Sequence, residues 1–412
     1  VSKLPGGVIV TVFTLSLAAQ DSGSIAQLEA AAQKHLAEKD ANAALADYEK
    51  LAQLAPKSAA YQDQIGFLLA ATNRGSDAIP HFQQATELNP RSAQAWYHLG
   101  VALWLAERKD EGVAAMRRAV ALAPDRADYR FRLGSAYADS GRSAEAIPEL
   151  TKASKQLKGN AALWEALGLA YQRQRRFEEA RDAYRQALAL DPKNTAVRNS
   201  YGQALVNSGD PDAGLREFRR ILESEPDNVH VQVNIGYAYI GAGKYAEAIK
   251  QLSALIRAHP ELASAHYDLG VAYKQSDNLP SAKAELEKAV ELEPALAEAH
   301  FTLAMTDADM GEMEKAVEQL RAAVEQRPDY VDAWFRLGSI LKDQGDVDNA
   351  IDALRHAVAL DATDAGAFNN LGLLLRKKGD AEGARAAFDK AAELRKAEEQ
   401  RKENNLRAGA PK

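Results

Sequence analysis

Cysteine is absent from all 412 residues. That excludes a disulfide framework, a thiol nucleophile, thiolate zinc ligands and a lipid-bearing cysteine. Aromatic residues are sparse at 7%, and proline contributes only 14 positions. Neither charge dominates: 51 basic and 58 acidic residues are scattered together for a net charge of -7. Without a basic stripe to neutralise a phosphate backbone, nucleic acid is not the expected partner. Long apolar runs are also missing, with one short exception from Val8 to Leu17. Lys3 is the sole charge before Asp21, and Ser16-Leu17-Ala18-Ala19 supplies small residues for cleavage. Residues 1–19 therefore read as a signal peptide and 20–24 as a linker, which predicts a bacterial protein exported to the periplasm or beyond. The run is about half the roughly 20 residues of a membrane span, so an uncleaved anchor is the weaker alternative.

What is present is periodic. Rows of 34 residues begin at 25, 59, 93, 127, 161, 195, 229, 263, 297, 331 and 365, without insertion, and end at 398. A polar tail, 399–412, completes the chain. Positions four, seven, eight and eleven of a row have the spacing of one helical face, and positions twenty, twenty-four and twenty-seven form another, so each row predicts two antiparallel helices. Position eight is Gly in nine rows and Ala in two, Ala32 and Ala304, which lets helix backbones approach. Gly141, Gly209, Gly243, Gly311, Gly345 and Gly379 fall at position fifteen, where a left-handed residue ends the first helix. Proline closes eight rows at position thirty-two. Lys158, Ala362 and Lys396 stand there in the others, and the second helices are expected to run on. Row seven alternates like a strand from Val229 to Ile240, yet its register requires a helix.

The row that carries Trp164, Leu167, Gly168, Tyr171, Ala180, Tyr184, Ala187 and Pro192 resembles the tetratricopeptide repeat at each signature position. The resemblance extends over residues 25–398. It implies an all-α fold, a right-handed superhelical solenoid of eleven repeats whose first helices line a groove. One row alone buries too little apolar surface to offset its chain entropy, so neighbours must stack.

No catalytic constellation emerges, and no cofactor or metal is expected. Gly236 to Lys244 looks like a phosphate loop, but Ala238 and Tyr245 replace required residues, and the register makes Gly243-Lys244 a hairpin turn. His266 and His300 share position four in adjacent rows; they replace its usual large residue and find no third ligand at obvious spacing.

The expected function is non-enzymatic: a scaffold that binds a protein or peptide segment, as part of an envelope or secreted assembly. The alternative is a substrate-recruiting arm for a separate enzyme such as a glycosyltransferase. Family resemblance turns positions two, five, six, nine, twelve and thirteen toward the groove. No lysine occupies position five, so the carboxylate clamp of chaperone-binding relatives is not expected. Asn234 and Asn370 alone match the asparagine ladder of glycosyltransferase arms. An aromatic stripe remains: Tyr97 and Phe131, then Tyr237, Tyr267, Phe301 and Phe335 over four consecutive rows. Arg132, Asn234, Asp268, Arg336, Lys342 and Asn370 flank it. Aromatics and arginine often anchor interfaces, whereas the competing reading packs position five on the neighbouring first helix.

Overall fold

A computed structural model describes residues 24–408. The expected signal peptide and residues 20–23 of the linker lie outside the described residues. All regular structure among the described residues is helical, in twenty-two helices. The chain divides into two compact units, Val1–Ala204 and Leu205–Lys412. The first contains α1 (24–37), α2 (Ala41–Leu54), α3 (Ala59–Ala71), α4 (Gly75–Leu88), α5 (Ala93–Leu105), α6 (Lys109–Leu122), α7 (Ala127–Asp139), α8 (Ser143–Ser154), α9 (Ala161–Arg173), α10 (Phe177–Leu190) and most of α11 (Thr195–Asn207). The second contains α12 (Pro211–Ser224), α13 (Val229–Gly241), α14 (Tyr245–Ala258), α15 (Ala263–Gln275), α16 (Leu279–Leu292), α17 (Ala297–Asp309), α18 (Met313–Gln326), α19 (Val331–Gln344), α20 (Val347–Leu360), α21 (Ala365–Lys378) and α22 (Ala381–Ala408).

From the second row onward every first helix opens at position one, and every second helix opens at position seventeen. Local chemistry sets these starts. Ser58, Ser92, Asn160 and Asn228 accept a backbone N–H of their helix's first turn, and Asp210 does the same for α12. The strand-like row seven folds as α13 because Val231, Ile235 and Gly236 face the core. In each unit a helix lies against the next. The first core runs from Leu51 and Ile65 through Leu133 and Leu150, with a further cluster around Tyr184. The second has clusters around Phe218, Leu252 and Leu337.

Two contacts recur in nearly every row. A Cβ on Gly66 would lie 2.7 Å from Phe82, one on Gly134 2.6 Å from Leu150 and one on Gly236 2.5 Å from Leu252. Position eight is thus the point where paired helices touch. The second contact is a staple: the position-four side chain donates to the carbonyl six residues earlier, in the loop between rows. Trp96 reaches Pro90 O at 3.0 Å, Trp164 reaches Lys158 O at 2.9 Å and Trp334 reaches Pro328 O at 2.8 Å. Gln232 does the same to Pro226 O at 2.9 Å. Each bond satisfies a loop carbonyl that no helix ladder can serve.

Position fifteen is left-handed in all eleven rows. The six glycines have φ of 69° to 92°, while Lys39, Asn73, Glu107, Arg175 and Asp277 adopt 56° to 62°. An L-residue there costs about 1–2 kcal/mol, which the turn's hydrogen bonds must offset. One such bond joins Arg176 N to Tyr171 O at 2.9 Å.

The expected helix extensions are realised at one site of three. At Lys396, α22 runs on to Ala408, and Lys402 pairs with Glu398 at 2.6 Å. At Ala362, α20 ends at Leu360 like its counterparts. At Lys158 the outcome is the reverse: α8 has 12 residues where α6 and α10 have 14, so it stops early. Proline is therefore not what ends these helices. At these two rows the next helix starts under an Asn160 or Asp364 side-chain cap.

Candidate partner-binding groove

In α17, Leu303 and Ala304, at positions seven and eight, are buried, while Phe301 and Met305, at positions five and nine, are half-buried. The same division holds in α15 and α19, where positions seven and eight are buried and position five is half-buried, and α13 likewise buries positions seven and eight. Val233 is the exception at position five, being buried. The groove face is thus the side of the first helix that its partner helix does not cover.

In the first unit, Tyr97 is half-buried and stacks on Tyr129 of the next first helix, with centroids 4.3 Å apart and planes 17° apart. The Arg126 guanidinium sits 4.3 Å from the centre of the Tyr129 ring. Its hydrogen-bonded pairing with Asp128 raises the Arg126 pKa and lowers that of Asp128. Phe131 packs partly into the core, while Arg132 is exposed and has no ion-pair partner among the described residues.

In the second unit, Tyr237, Tyr267, Phe301 and Phe335 are all half-buried, as is Asn234. The Tyr237 hydroxyl donates to Asn207 Oδ1 at 2.6 Å, which joins two successive first helices. Burial pushes the Tyr267 hydroxyl up to about 12, against a lowering by the Thr302 side chain. It stays a neutral phenol at physiological pH. Phe301 packs on Tyr330, centroids 5.0 Å apart, with the Arg327 guanidinium 3.5 Å from the centre of the Tyr330 ring. Arg327 is in turn held by Glu298 at 2.5 Å. Phe335 lies against the core cluster around Leu337. Arg336 is exposed, with no ion-pair partner among the described residues. Lys342 and Asn370 meet each other, Lys342 Nζ donating to Asn370 Oδ1 at 3.2 Å.

Asp268 departs from its expected place on an open surface: only 7% of it is exposed. Burial raises its carboxyl pKa to about 7, so it is not a fixed negative charge near neutrality. Sequence reasoning also missed Tyr129 and Tyr330, which support Tyr97 and Phe301. Tyr330 sits at position thirty-four, outside the helical faces that the repeat pattern weighs. Tyr129 sits at position three, which has no signature residue.

The two motifs set aside on sequence have structural employment. His266 Nδ1 lies 2.7 Å from Glu285 and Nε2 lies 3.1 Å from Pro260 O. His300 engages Gln319 at 2.7 Å and Pro294 O at 3.1 Å. Both are position-four staples, and no group of three or more potential metal ligands occurs among the described residues. Gly243 turns the chain at φ 69°, and Lys244 pairs with Asp212 at 2.7 Å. No described helix is long and apolar enough to cross a membrane.

Comparison with known families places models of tetratricopeptide repeats on residues 66–127, 106–162, 301–365 and 342–399. Another covers 239–300, and the TPR domain of cytochrome c-type biogenesis protein H matches 150–266. No curated protein sequence matches. Among solved structures, yeast Tom70 is 13% identical, with 90% of this chain and 92% of that one covered at a TM-score of 0.50. A likeness at that identity is one of fold. MamA is 26% identical over 40% of this chain and 97% of its own, with a TM-score of 0.38. A human IFIT1 dimer with m7Gppp-AAAA is 17% identical over 82% of this chain and 90% of its own, with a TM-score of 0.45.

Proposed function

Because the chain belongs to the tetratricopeptide repeat family, whose members serve as protein–protein interaction scaffolds, we propose that it seats a partner segment on the first helices of rows seven to ten. The observation that carries this is the run of half-buried aromatics Tyr237, Tyr267, Phe301 and Phe335 on four successive first helices. Their neighbours hold them in place, which lowers the ordering cost of binding. Arg336 and Lys342 add positive charge toward one end, suited to acidic groups of the segment. Tyr97, Phe131 and Arg132 form a smaller aromatic and basic patch of the same kind in the first unit. Asn234 and Asn370 lie on the same face, where Asn370 accepts from Lys342. Asp268, by contrast, acts through packing. The segment is protein, not nucleic acid, since the basic residues form no stripe along the helices.

An envelope assembly is the proposed setting. The match with the TPR domain of cytochrome c-type biogenesis protein H supports it, as does the reading of residues 1–19 as an export signal. A periplasmic location rests on the same two supports.

Truncating an anchoring aromatic costs about 2 kcal/mol or more, roughly thirtyfold in affinity. With the partner purified from native cells, titration calorimetry on Tyr267→Ala and Phe301→Ala should show that loss, while Glu287→Ala on the second helix α16 should bind like the parent. Thermal unfolding of the same variants separates lost contact from loosened packing. If both aromatic variants melt and bind as the parent does, the track is packing alone and the proposal fails.

A further inference from the structure

A cavity of about 640 Å³ opens between the second helices α8 and α10, floored by α9. Its floor is Trp164, Leu167 and Tyr171. These are positions four, seven and eleven, and at about 100° per residue they lie roughly opposite the groove positions of the same helix. The cavity is therefore not part of the groove.

Its origin is a missing side chain. Position twenty-eight holds a large aliphatic residue in seven rows, as Val120, Leu188, Leu222, Ile256, Val290, Val324 and Val358, and a smaller one in four: Ala52, Thr86, Ala392 and, at this place, Ser154. Ser154 Oγ turns back to the carbonyl of Thr151 at 3.0 Å and fills nothing. The early end of α8 removes a further part of the wall. The notch is open to solvent, and its apolar floor is left uncovered by this row's own side chains.

The charge at the mouth is one-sided. Glu179 is paired with Arg176 at 2.8 Å and Asp182 with Arg185 at 3.2 Å. Lys155 and Lys158 line the cavity, are both exposed, and have no ion-pair partner among the described residues. The indole bond to Lys158 O fixes that lysine's backbone beside Trp164. An apolar floor with two unpaired cations at the rim suits an apolar group that carries negative charge next to it. The volume falls within the roughly 300–1,000 Å³ of small-ligand sites. A bulky side chain can enter from the surface while its own backbone remains outside.

We propose that this notch is a second docking site, which receives a leucine- or phenylalanine-sized side chain of an acidic partner segment in the place that the row's own aliphatic residue vacates. The test uses the full chain and a dye-labelled peptide, Asp-Glu-Leu-Phe-Glu-Asp, monitored by fluorescence anisotropy at low salt, where surface charge is least screened. Saturable binding is expected. Ser154→Leu refills the notch, so it should weaken binding about tenfold or more while raising the urea midpoint. Lys155→Glu combined with Lys158→Glu should weaken it by a similar factor without moving the midpoint, and Glu287→Ala, exposed on α16 and outside both sites, should leave it unchanged. No rise in anisotropy, equal binding of a peptide with lysines for its acids, or affinity untouched by Ser154→Leu would each overturn the proposal. So would displacement of the peptide by an equal concentration of dodecanoate, because the notch would then be built for a small amphiphile.

Discussion

Replacing Gly168 by leucine is expected to cost about 3 kcal/mol or more and to loosen the array locally. Even a single Cβ at this position would lie 2.6 Å from the ring of Tyr184. That ring cannot step aside easily: Tyr184 is 1% exposed, and its hydroxyl donates to Gln172 at 2.9 Å. Overpacking costs typically about 1–3 kcal/mol, and here the rest of the leucine side chain enters the same space behind the Cβ. Because stacked repeats contact only their neighbours, hydrogen exchange should rise most in α7 to α10 and little in α2 to α4. A uniform loss of protection throughout the chain would show one cooperative unit instead.

A second large effect is expected at Asp268, with a sign that depends on pH. Its folded pKa, about 7, lies above the ordinary value of 3.8 because burial penalises the charged form. Folding therefore takes up a proton between these two values. The associated stability is fully present below about pH 4, falls as pH rises through 7, and is flat above. Asp268→Asn removes the ionisation and keeps the shape. Its advantage over the parent should grow from near zero at pH 4 to as much as about 4 kcal/mol at pH 8. Urea titrations at four or five pH values measure this. Parallel curves for parent and variant would mean that the carboxylate is solvated or paired, and Asp268 would return to the candidates for direct partner contact.

The repeat was legible because its rules are steric and frequent. A small residue at position eight and a turn at position fifteen recur at a fixed interval, and this periodicity located the helices even where row seven favours a strand. Less visible were features that any of several residues can supply. The staple at position four needs only a reachable N–H, so Trp96, Gln232, His266 and Arg130 all serve, and no single residue type marks the position. The left-handed turn is similar: Arg175 and Glu107 accept the strain that glycine avoids, since the turn bonds hold them there. The early end of α8 ran against the expectation drawn from the missing proline at Lys158: α8 stops at Ser154, two residues before the end of its counterparts. In the groove, the pattern gave the positions of the aromatics but not their depth. Tyr97 and Phe301 are held by Tyr129 and Tyr330, and Asp268 is buried, because depth depends on neighbours one row away.

The central claim is that the first helices of rows seven to ten hold a protein partner. It is tested most directly by site-specific photo-cross-linking in native cells. A photoreactive residue is placed in turn at Phe301 and Phe335 on the groove face, and at Glu287 and Arg355 on the second helices, and the cross-linked peptides are identified by mass spectrometry. The account predicts one discrete partner segment, joined at Phe301 and Phe335 through nearby residues of the same stretch and absent from Glu287 and Arg355. Cross-links confined to the second-helix positions, or no protein partner at Phe301 and Phe335 in cells where the chain is folded, would contradict it.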